Sequence, residues 1–269
     1  MLRSLWRLRL PLICATVVFG LWDTALLKPA RLFMVLTHEM LHVVATYATG
    51  GTVTQTLIRM DETGRTVSVG EYTPIVAQAG YLGSALLGAL LIYASTRPGL
   101  LRVLVVLLGV ASLLIATRFA ADDGLAWRTG VTAAALLLTA ALGFSQEAMR
   151  VGGTWLGVMF CAYVAHDFGT DLLVQPQITD AGLLARHLQH PGLAMPIAVA
   201  WCVVLVPFVA VALWRVERHG QALETATGLG GVAEEVIPAG AAAHSPGLTP
   251  VPAEGTSCVS SASLAAEPY

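Results

Sequence analysis

Charge is scarce in this chain of 269 residues: only 12% of them are Asp, Glu, Lys or Arg, whereas 56% are hydrophobic. A soluble globular protein carries about 25% charged residues, so the composition argues against that class and favours an integral membrane protein. The formal net charge is only −2. The large basic surface of a nucleic-acid-binding protein is therefore not indicated, and we predict no nucleic-acid partner.

Cysteine is equally scarce, and the four cysteines stand far apart, at Cys14, Cys161, Cys202 and Cys258. No CxxC pair occurs, so the sequence predicts neither a disulfide framework nor a cysteine zinc knuckle. A convincing small-x-small cleavage motif is also missing after the basic, apolar N-terminus MLRSLWRLRLPLICATVVFGLW. We therefore expect this segment to be retained as a first membrane helix rather than removed as a signal peptide.

Long apolar runs are what the chain has in abundance. A helix of about 20 apolar residues crosses a bilayer, so the runs predict an all-α polytopic membrane protein with about six or seven membrane segments. Basic residues near both ends favour two cytoplasmic termini and an even number of crossings, so one run is expected to be re-entrant or misassigned, either 31–49 or 153–174. The runs lie at about 10–28, 31–49, 75–95, 100–117, 129–144, 153–174 and 192–214.

Two stretches depart from the apolar pattern. The segment from Gly50 to Pro74 alternates in polarity on either side of the turn-forming DETG at Asp61–Gly64, which predicts a small β-hairpin. From Gly220 onward, Ala, Gly, Pro, Ser and Thr dominate without periodicity. We therefore predict a membrane-embedded domain over 1–219 and a disordered C-terminal tail over 220–269.

The sequence His38-Glu39-Met40-Leu41-His42 fits HExxH and lies within an apolar run. Residues four apart share one helix face, so the two imidazoles can converge on one ion. Zinc suits nitrogen ligands, and Glu39 adjoins the first of them, where it can take a proton from a water at the metal. Ionisable residues inside membrane segments are rare and mark functional sites, which favours this reading over two hydrogen-bonded structural histidines.

A catalytic zinc site needs a third protein ligand. Candidates lie in CAYVAHDFGTDLLVQPQITDAGLLA, which contains His166, Asp167, Asp171 and Asp180. Asp167 and Asp171 are four apart, so on a helix they would share one face, with His166 close by. Two interpretations of this segment have comparable support. One of the acids is a ligand of the metal, or the acids lie at a helix end and are hydrogen-bonded to water and backbone. In contrast, Gly80, Ser84 and Gly88 form a small-xxx-small pattern that predicts helix packing, and we interpret His187 and His190 as surface histidines.

Three stretches resemble the site-2 protease clan of intramembrane zinc metallopeptidases, in its compact branch without a PDZ domain. They are THEMLHVVATYATGGTV, AQAGYLGSALLGALL and DLLVQPQITDAGLLARHLQHPGLAMPIAVAW, which span most of the chain from about 31 to 214 in the expected order. The resemblance implies Zn²⁺ held by His38 and His42, with Glu39 as the general base. The Leu-Asp-Gly of better-known members is absent; Asp171 is the nearest match for the third ligand, with Asp167 and Asp180 as alternatives.

These observations predict an intramembrane zinc metalloendopeptidase that hydrolyses a peptide bond of a membrane protein or peptide substrate. The expected location is the lipid bilayer of a bacterial plasma membrane, and the hairpin could present an extended substrate strand. The absent Leu-Asp-Gly motivates an alternative, a catalytically inactive member that binds or regulates a membrane partner. The sequence makes no prediction of the oligomeric state.

Overall fold

The computed structural model describes residues 2–120 and 122–226 and is mostly helical. The helices are α1 (Leu2–Arg7), α2 (Arg9–Leu21), α3 (Lys28–Ala48), α4 (Thr73–Ala94), α5 (Pro98–Arg118), α6 (Gly124–Gly143), α7 (Gln146–Asp167), α8 (Asp180–His187) and α9 (Ala194–Ala226). A π-helical turn at Phe168–Leu172 extends α7, and 3-10 turns at Pro176–Ile178 and Pro191–Leu193 flank α8.

Within these residues, five helical segments are long and apolar enough to cross a membrane, and α2 is a shorter apolar helix of 13 residues. The five segments are Thr73–Ala94, Pro98–Arg118, Gly124–Gly143, Gln146–Leu172 and Pro191–Ala226. Together with the hairpin described below, they confirm the predicted polytopic helical fold and approximate segment count. The protein is an integral membrane protein.

Helix α7 gives the reference direction for the bundle. Helix α4 runs antiparallel to it, because Tyr81 lies near Phe168 (ring centroids 6.3 Å apart) while Gly88 packs against Gly157. Helix α2 runs parallel to it, because Trp22, just after α2, lies near His166 at the end of α7 with ring centroids 5.0 Å apart, while Arg9 at the start of α2 acts electrostatically on Glu147 at the start of α7. Close approach of the α4 and α7 backbones requires glycine here: a Cβ on Gly88 would lie 2.7 Å from the Gly157 carbonyl oxygen.

These directions define two faces of the bundle. The arginine face carries Arg7, Arg9, Arg97, Arg102, Arg150 and Arg215, near the starts of α2, α5 and α7 and the ends of α4 and α9. The opposite face, which we call the site face, carries the end of α7 and the end of α5. Helix α9 returns to the arginine face, where Arg7 pairs with Glu224 at 2.6 Å.

Helix α3 begins and ends at the site face. Near its start, the Arg31 guanidinium lies 5.8 Å from the Trp22 ring centroid, and Trp22 adjoins the end of α7. Near its end, Tyr47 contacts Phe119, which directly follows α5, with ring centroids 5.9 Å apart. The run 31–49 is therefore the one that does not cross the bundle, and 153–174 does.

The hairpin lies alongside α3 and consists of β1 (Thr52–Ile58) and β2 (Gly64–Val69), paired antiparallel with an irregularity between Val53 and Gln55. The Asp61 carboxylate accepts hydrogen bonds from the backbone N–H and the hydroxyl of Thr63, which stabilises the predicted turn. Strand β1 is anchored on its outer edge: Thr56 N–H donates to the Phe119 carbonyl at 2.8 Å, and Ile58 N–H donates to Asp123 Oδ2 at 2.9 Å.

Helix α9 extends past residue 219, where the membrane-embedded domain is predicted to end, and reaches Ala226. Arg7 hydrogen-bonds to Glu224 and lies 4.0 Å from Glu217, so the last turns of α9 contact α1. Residues 227–269, which make up most of the predicted disordered tail, lie outside the described residues.

The non-crossing path of α3 makes a prediction about side-specific labelling. In a background without the native cysteines, we expect Asp61→Cys at the hairpin tip and Asp122→Cys beside α5 to react from the same side of the membrane. Ser145→Cys, which precedes α7, is expected to react from the other side. Labelling of intact cells and inverted vesicles with a membrane-impermeant maleimide measures this; Asp61→Cys and Asp122→Cys reacting from opposite sides would contradict the described path.

Candidate metal centre and general base

The three residues of the HExxH motif that carry chemistry lie in the buried middle of α3. His38, Glu39 and His42 are each only 5–6% exposed. Leu36 and Met40 are buried beside them, and the helix packs mainly against α4 and the hairpin. A carboxylate and two imidazoles removed from water in this way need partners, because unpaired buried charge is costly.

A third ligand atom, on the partly buried Asp180, converges on the two imidazoles. His38 Nε2 lies 3.1 Å from Asp180 Oδ2, His42 Nε2 lies 3.2 Å from the same oxygen, and the two Nε2 atoms are 3.1 Å apart. Ligands about 2.0–2.1 Å from a tetrahedral zinc ion lie roughly 3.3 Å from one another. The triangle therefore has the size that a shared metal ion requires, and it is the one such three-ligand group among the described residues.

The surroundings orient both histidines. His42 Nδ1–H donates to the Val76 carbonyl at 2.8 Å, which leaves the lone pair of its neutral Nε2 directed at Asp180. His38 is held by aromatic packing: its ring centroid lies 4.6 Å from that of Tyr81 and 6.0 Å from that of Tyr163. His38 Nδ1 is buried without a hydrogen-bond partner among the described residues.

Asp180 is brought to the histidines by the first turn of α8. Just before it, the chain turns tightly, and a Cβ on Gly182 would collide with the Gln177 carbonyl. Asp180 Oδ2 faces both imidazole Nε2 atoms, so this carboxylate oxygen is placed where it can complete a three-ligand metal site.

Gly80 provides the space in front of the histidines. A Cβ at this position of α4 would lie 2.6 Å from His42 Nε2 and would overlap the His38 imidazole. The small-xxx-small pattern predicted helix packing, and the contact of Gly88 with Gly157 agrees with that prediction. The pattern did not predict that Gly80 faces the two histidines, because the sequence does not show that α4 packs against the HExxH motif.

Asp171, the predicted third ligand, is not among the residues that the structure brings to the two histidines. Asp171 lies on the π-helical turn after α7 and is exposed, whereas Asp180, one of the two alternatives, contacts both histidines. The physical reason is that the chain leaves the regular helix at Phe168, so the four-residue spacing of Asp167 and Asp171 does not place them on one α-helical face. His187 and His190 are exposed, and neither belongs to the three-ligand group.

Glu39 is covered by the hairpin. Thr66 Oγ1 donates a hydrogen bond to Glu39 Oε2 at 2.7 Å, and a Cβ on Gly64 would lie 2.9 Å from the Glu39 carboxyl carbon. The general-base candidate, which adjoins His38 in α3, is therefore covered by strand β2. The sequence predicted the hairpin but not its contact with Glu39.

An ion-pair cluster holds the tip of the hairpin against the start of α3. Glu62 accepts from Lys28 Nζ at 2.6 Å and from Arg31 Nε at 2.8 Å. Partial burial raises the pKa of Glu62, but these two hydrogen-bonded cations outweigh it and leave the pKa below its ordinary value. The cluster stabilises the fold at pH values above about 4.3, the ordinary pKa of a glutamate. This stabilisation is lost as the pH falls through the lowered pKa of Glu62.

Comparison with known proteins agrees with this geometry. The family model described as Peptidase M50B-like matches residues 12–214, which covers α2 to the middle of α9 and includes every residue of the centre. No curated protein and no solved structure matches the chain. The match spans about three quarters of the sequence, so the chain belongs to the Peptidase M50B-like family and thereby to the site-2 protease clan that its motifs resemble.

Proposed function

We propose that the protein is an intramembrane zinc metalloendopeptidase that cuts membrane-protein substrates in the plasma membrane of a bacterium. The observation that carries the proposal is the convergence of His38, His42 and Asp180, with Glu39 of the same HExxH motif beside them. Family membership supports the peptidase class. The convergence also favours this proposal over the alternative of a catalytically inactive family member, because Asp180 offers a carboxylate although the sequence Leu-Asp-Gly is absent.

The residues fit zinc better than other common metals. Two imidazoles and one carboxylate are a usual zinc donor set, and Gly80 keeps a side chain of α4 from overlapping the two imidazoles. When bound, zinc would supply Lewis-acid polarisation of the scissile carbonyl and would lower the pKa of a coordinated water towards about 7. His38, His42 and Asp180 are the residues that would hold it.

In this proposal, Glu39 moves the proton. Its Oε2 accepts from Thr66, so Oε1 is the oxygen that takes a proton from the attacking water and delivers it to the amine of the departing peptide. The carboxylate suits this task because it is buried and held against β2, which excludes bulk water from the transfer.

The open edge of the hairpin is the proposed binding site for the substrate backbone. In an antiparallel pair, residues opposite each other point their N–H and C=O groups either both inward or both outward. Thr56 and Ile58 point outward on β1, because they donate to Phe119 and Asp123. Their partners Thr66 and Gly64 therefore present their backbone groups at the outer edge of β2.

An extended peptide paired with this edge would run past Glu39, since the same two residues of β2 contact that carboxylate. A substrate that spans the membrane as a helix must unwind first, because helical carbonyls are already hydrogen-bonded. The proposal therefore favours substrates with a weak helix near the site face of the bundle.

The test is cleavage in proteoliposomes of a quenched-fluorescent, single-span leucine-rich peptide with a Gly-Pro break near one end. We expect the wild type to cut this probe and Glu39→Gln not to cut it, although both hold zinc. A non-catalytic binding protein would leave the probe intact with both proteins, and equal cleavage by both would contradict the role of Glu39.

A further inference from the structure

Strand β2 presents one face to Glu39. Residues two apart on a strand point to the same side, and here these are Gly64 and Thr66. Gly64 has no room for a side chain, because a Cβ would meet the Glu39 carboxyl group. Thr66 is therefore the residue of this face whose side chain reaches Glu39 with a polar atom.

The Thr66 hydroxyl has one hydrogen and two acceptors within reach. Its Oγ1 lies 2.7 Å from Glu39 Oε2 and 3.3 Å from the Glu39 backbone oxygen. Hydrogen bonds to a carboxylate are shorter and stronger than those to a neutral carbonyl, so the proton points at Oε2. This bond fixes which carboxylate oxygen is engaged and which is left for chemistry.

The Thr66 hydroxyl lies on a hairpin that is anchored by hydrogen bonds to neighbouring elements. On β1, Thr56 and Ile58 are bonded to the loop that joins α5 and α6, and at the tip Glu62 is bonded to Lys28 and Arg31. Thr56 is the direct partner of Thr66 in the hairpin and is fully buried. Anchors on both sides of Thr66 restrict the movement of its hydroxyl relative to α3.

We propose that Thr66 is a positioning residue that sets the orientation of the Glu39 carboxylate for proton transfer. The inference rests on the proposed function, in which Glu39 is the general base. Thr66 contacts Glu39 and not the reacting atoms, so it acts through that carboxylate. Its hydroxyl thus links the substrate-binding strand to the catalytic group.

The experiment compares Thr66→Val, which keeps the shape but removes the hydroxyl, with Thr66→Ser, which keeps the hydroxyl. Thr54→Val is the matched control, since Thr54 lies on the same hairpin and its hydroxyl donates to the Val67 carbonyl at 3.1 Å. Each variant is reconstituted and assayed with the quenched-fluorescent peptide. Its zinc content and melting temperature are also measured, as is the infrared band of the Glu39 carboxylate, identified as the band lost in Glu39→Gln.

For Thr66→Val we expect kcat to fall about 10- to 100-fold with KM, zinc content and melting temperature close to wild type. Its Glu39 band should shift, Thr66→Ser should restore both kcat and the band, and Thr54→Val should change neither. In a Glu39→Gln background, Thr66→Val should cause no further loss, because residues that act as a unit are not additive.

Wild-type kcat in Thr66→Val, or an equal fall of rate in the Glu39→Gln background, would overturn the positioning role. If the wild type cuts the peptide no faster than Glu39→Gln, the proposed function fails instead. In that case the infrared band decides the question alone: an unshifted Glu39 band in Thr66→Val would overturn the contact itself.

Discussion

Glu39→Gln is expected to lower kcat for peptide cleavage by about 100-fold or more while zinc content and melting temperature stay at wild-type values. General acid–base catalysis by a positioned side chain contributes about 10²- to 10⁴-fold. Glutamine has nearly the shape of glutamate and can still accept a hydrogen bond from Thr66. It cannot take up a proton at neutral pH, so the change removes the base and little else.

Glu71→Gln is the matched control for this variant. Glu71 lies between the hairpin and α4, and its Oε2 is buried without a hydrogen-bond partner among the described residues. The same substitution there changes a comparable carboxylate that the mechanism does not use, so cleavage should stay near the wild-type rate. A Glu71→Gln protein as inactive as Glu39→Gln would mean that loss of a carboxylate in this region acts through folding.

Asp180→Ala is expected to weaken zinc binding by more than about 100-fold, whereas Asp171→Ala should bind zinc like the wild type. Loss of an outer-shell partner alone costs about 10- to 100-fold in metal affinity, and a direct ligand should cost more. Asp180 Oδ2 lies within 3.2 Å of both histidine Nε2 atoms, whereas Asp171 is exposed on the π-helical turn.

The pair of aspartate variants separates the two assignments of the third ligand. Metal content of the purified proteins, measured after dialysis against graded zinc buffers, gives the affinities directly and needs no substrate. Zinc retained by Asp180→Ala and lost by Asp171→Ala would contradict the geometry described above and restore the ligand expected from the resemblance. Both variants change one exposed or partly exposed carboxylate, so a general effect of charge would affect them alike.

The sequence was sufficient for the parts of the fold that rest on local patterns. Apolar runs of about 20 residues predicted the membrane helices, and the DETG turn between alternating residues predicted the hairpin, because hydrophobic length and turn chemistry act locally. HExxH predicted that His38 and His42 share a helix face for the same reason. Their placement in a buried helix is therefore one of the more predictable features of the chain.

The third ligand was less predictable because it depends on how the chain leaves a helix. Spacing favours Asp167 and Asp171 as a pair only if the α-helix continues through both, and it ends at Asp167. Asp180 comes from a different short helix, α8, whose packing against α4 and α9 brings it back to the histidines of α3. No periodic pattern in the sequence predicts that α8 approaches the histidines.

The contacts across the hairpin were likewise invisible to pattern reasoning. Thr66 and Glu39 are 27 residues apart, and Glu62 reaches Lys28 across 34. The sequence also left open which apolar run fails to cross. The contacts of Trp22 and Tyr47 with the ends of α7 and α5 identify 31–49, and such long-range contacts leave no local signature.

The metal centre is tested most directly by zinc X-ray absorption spectroscopy of the purified wild-type protein. The account predicts about one zinc per chain, with two imidazole nitrogens and a carboxylate oxygen at about 2.0–2.2 Å, and loss of the oxygen ligand in Asp180→Ala. A protein that holds no zinc, or one whose zinc has no imidazole ligands, would contradict the central claim that His38, His42 and Asp180 form the centre.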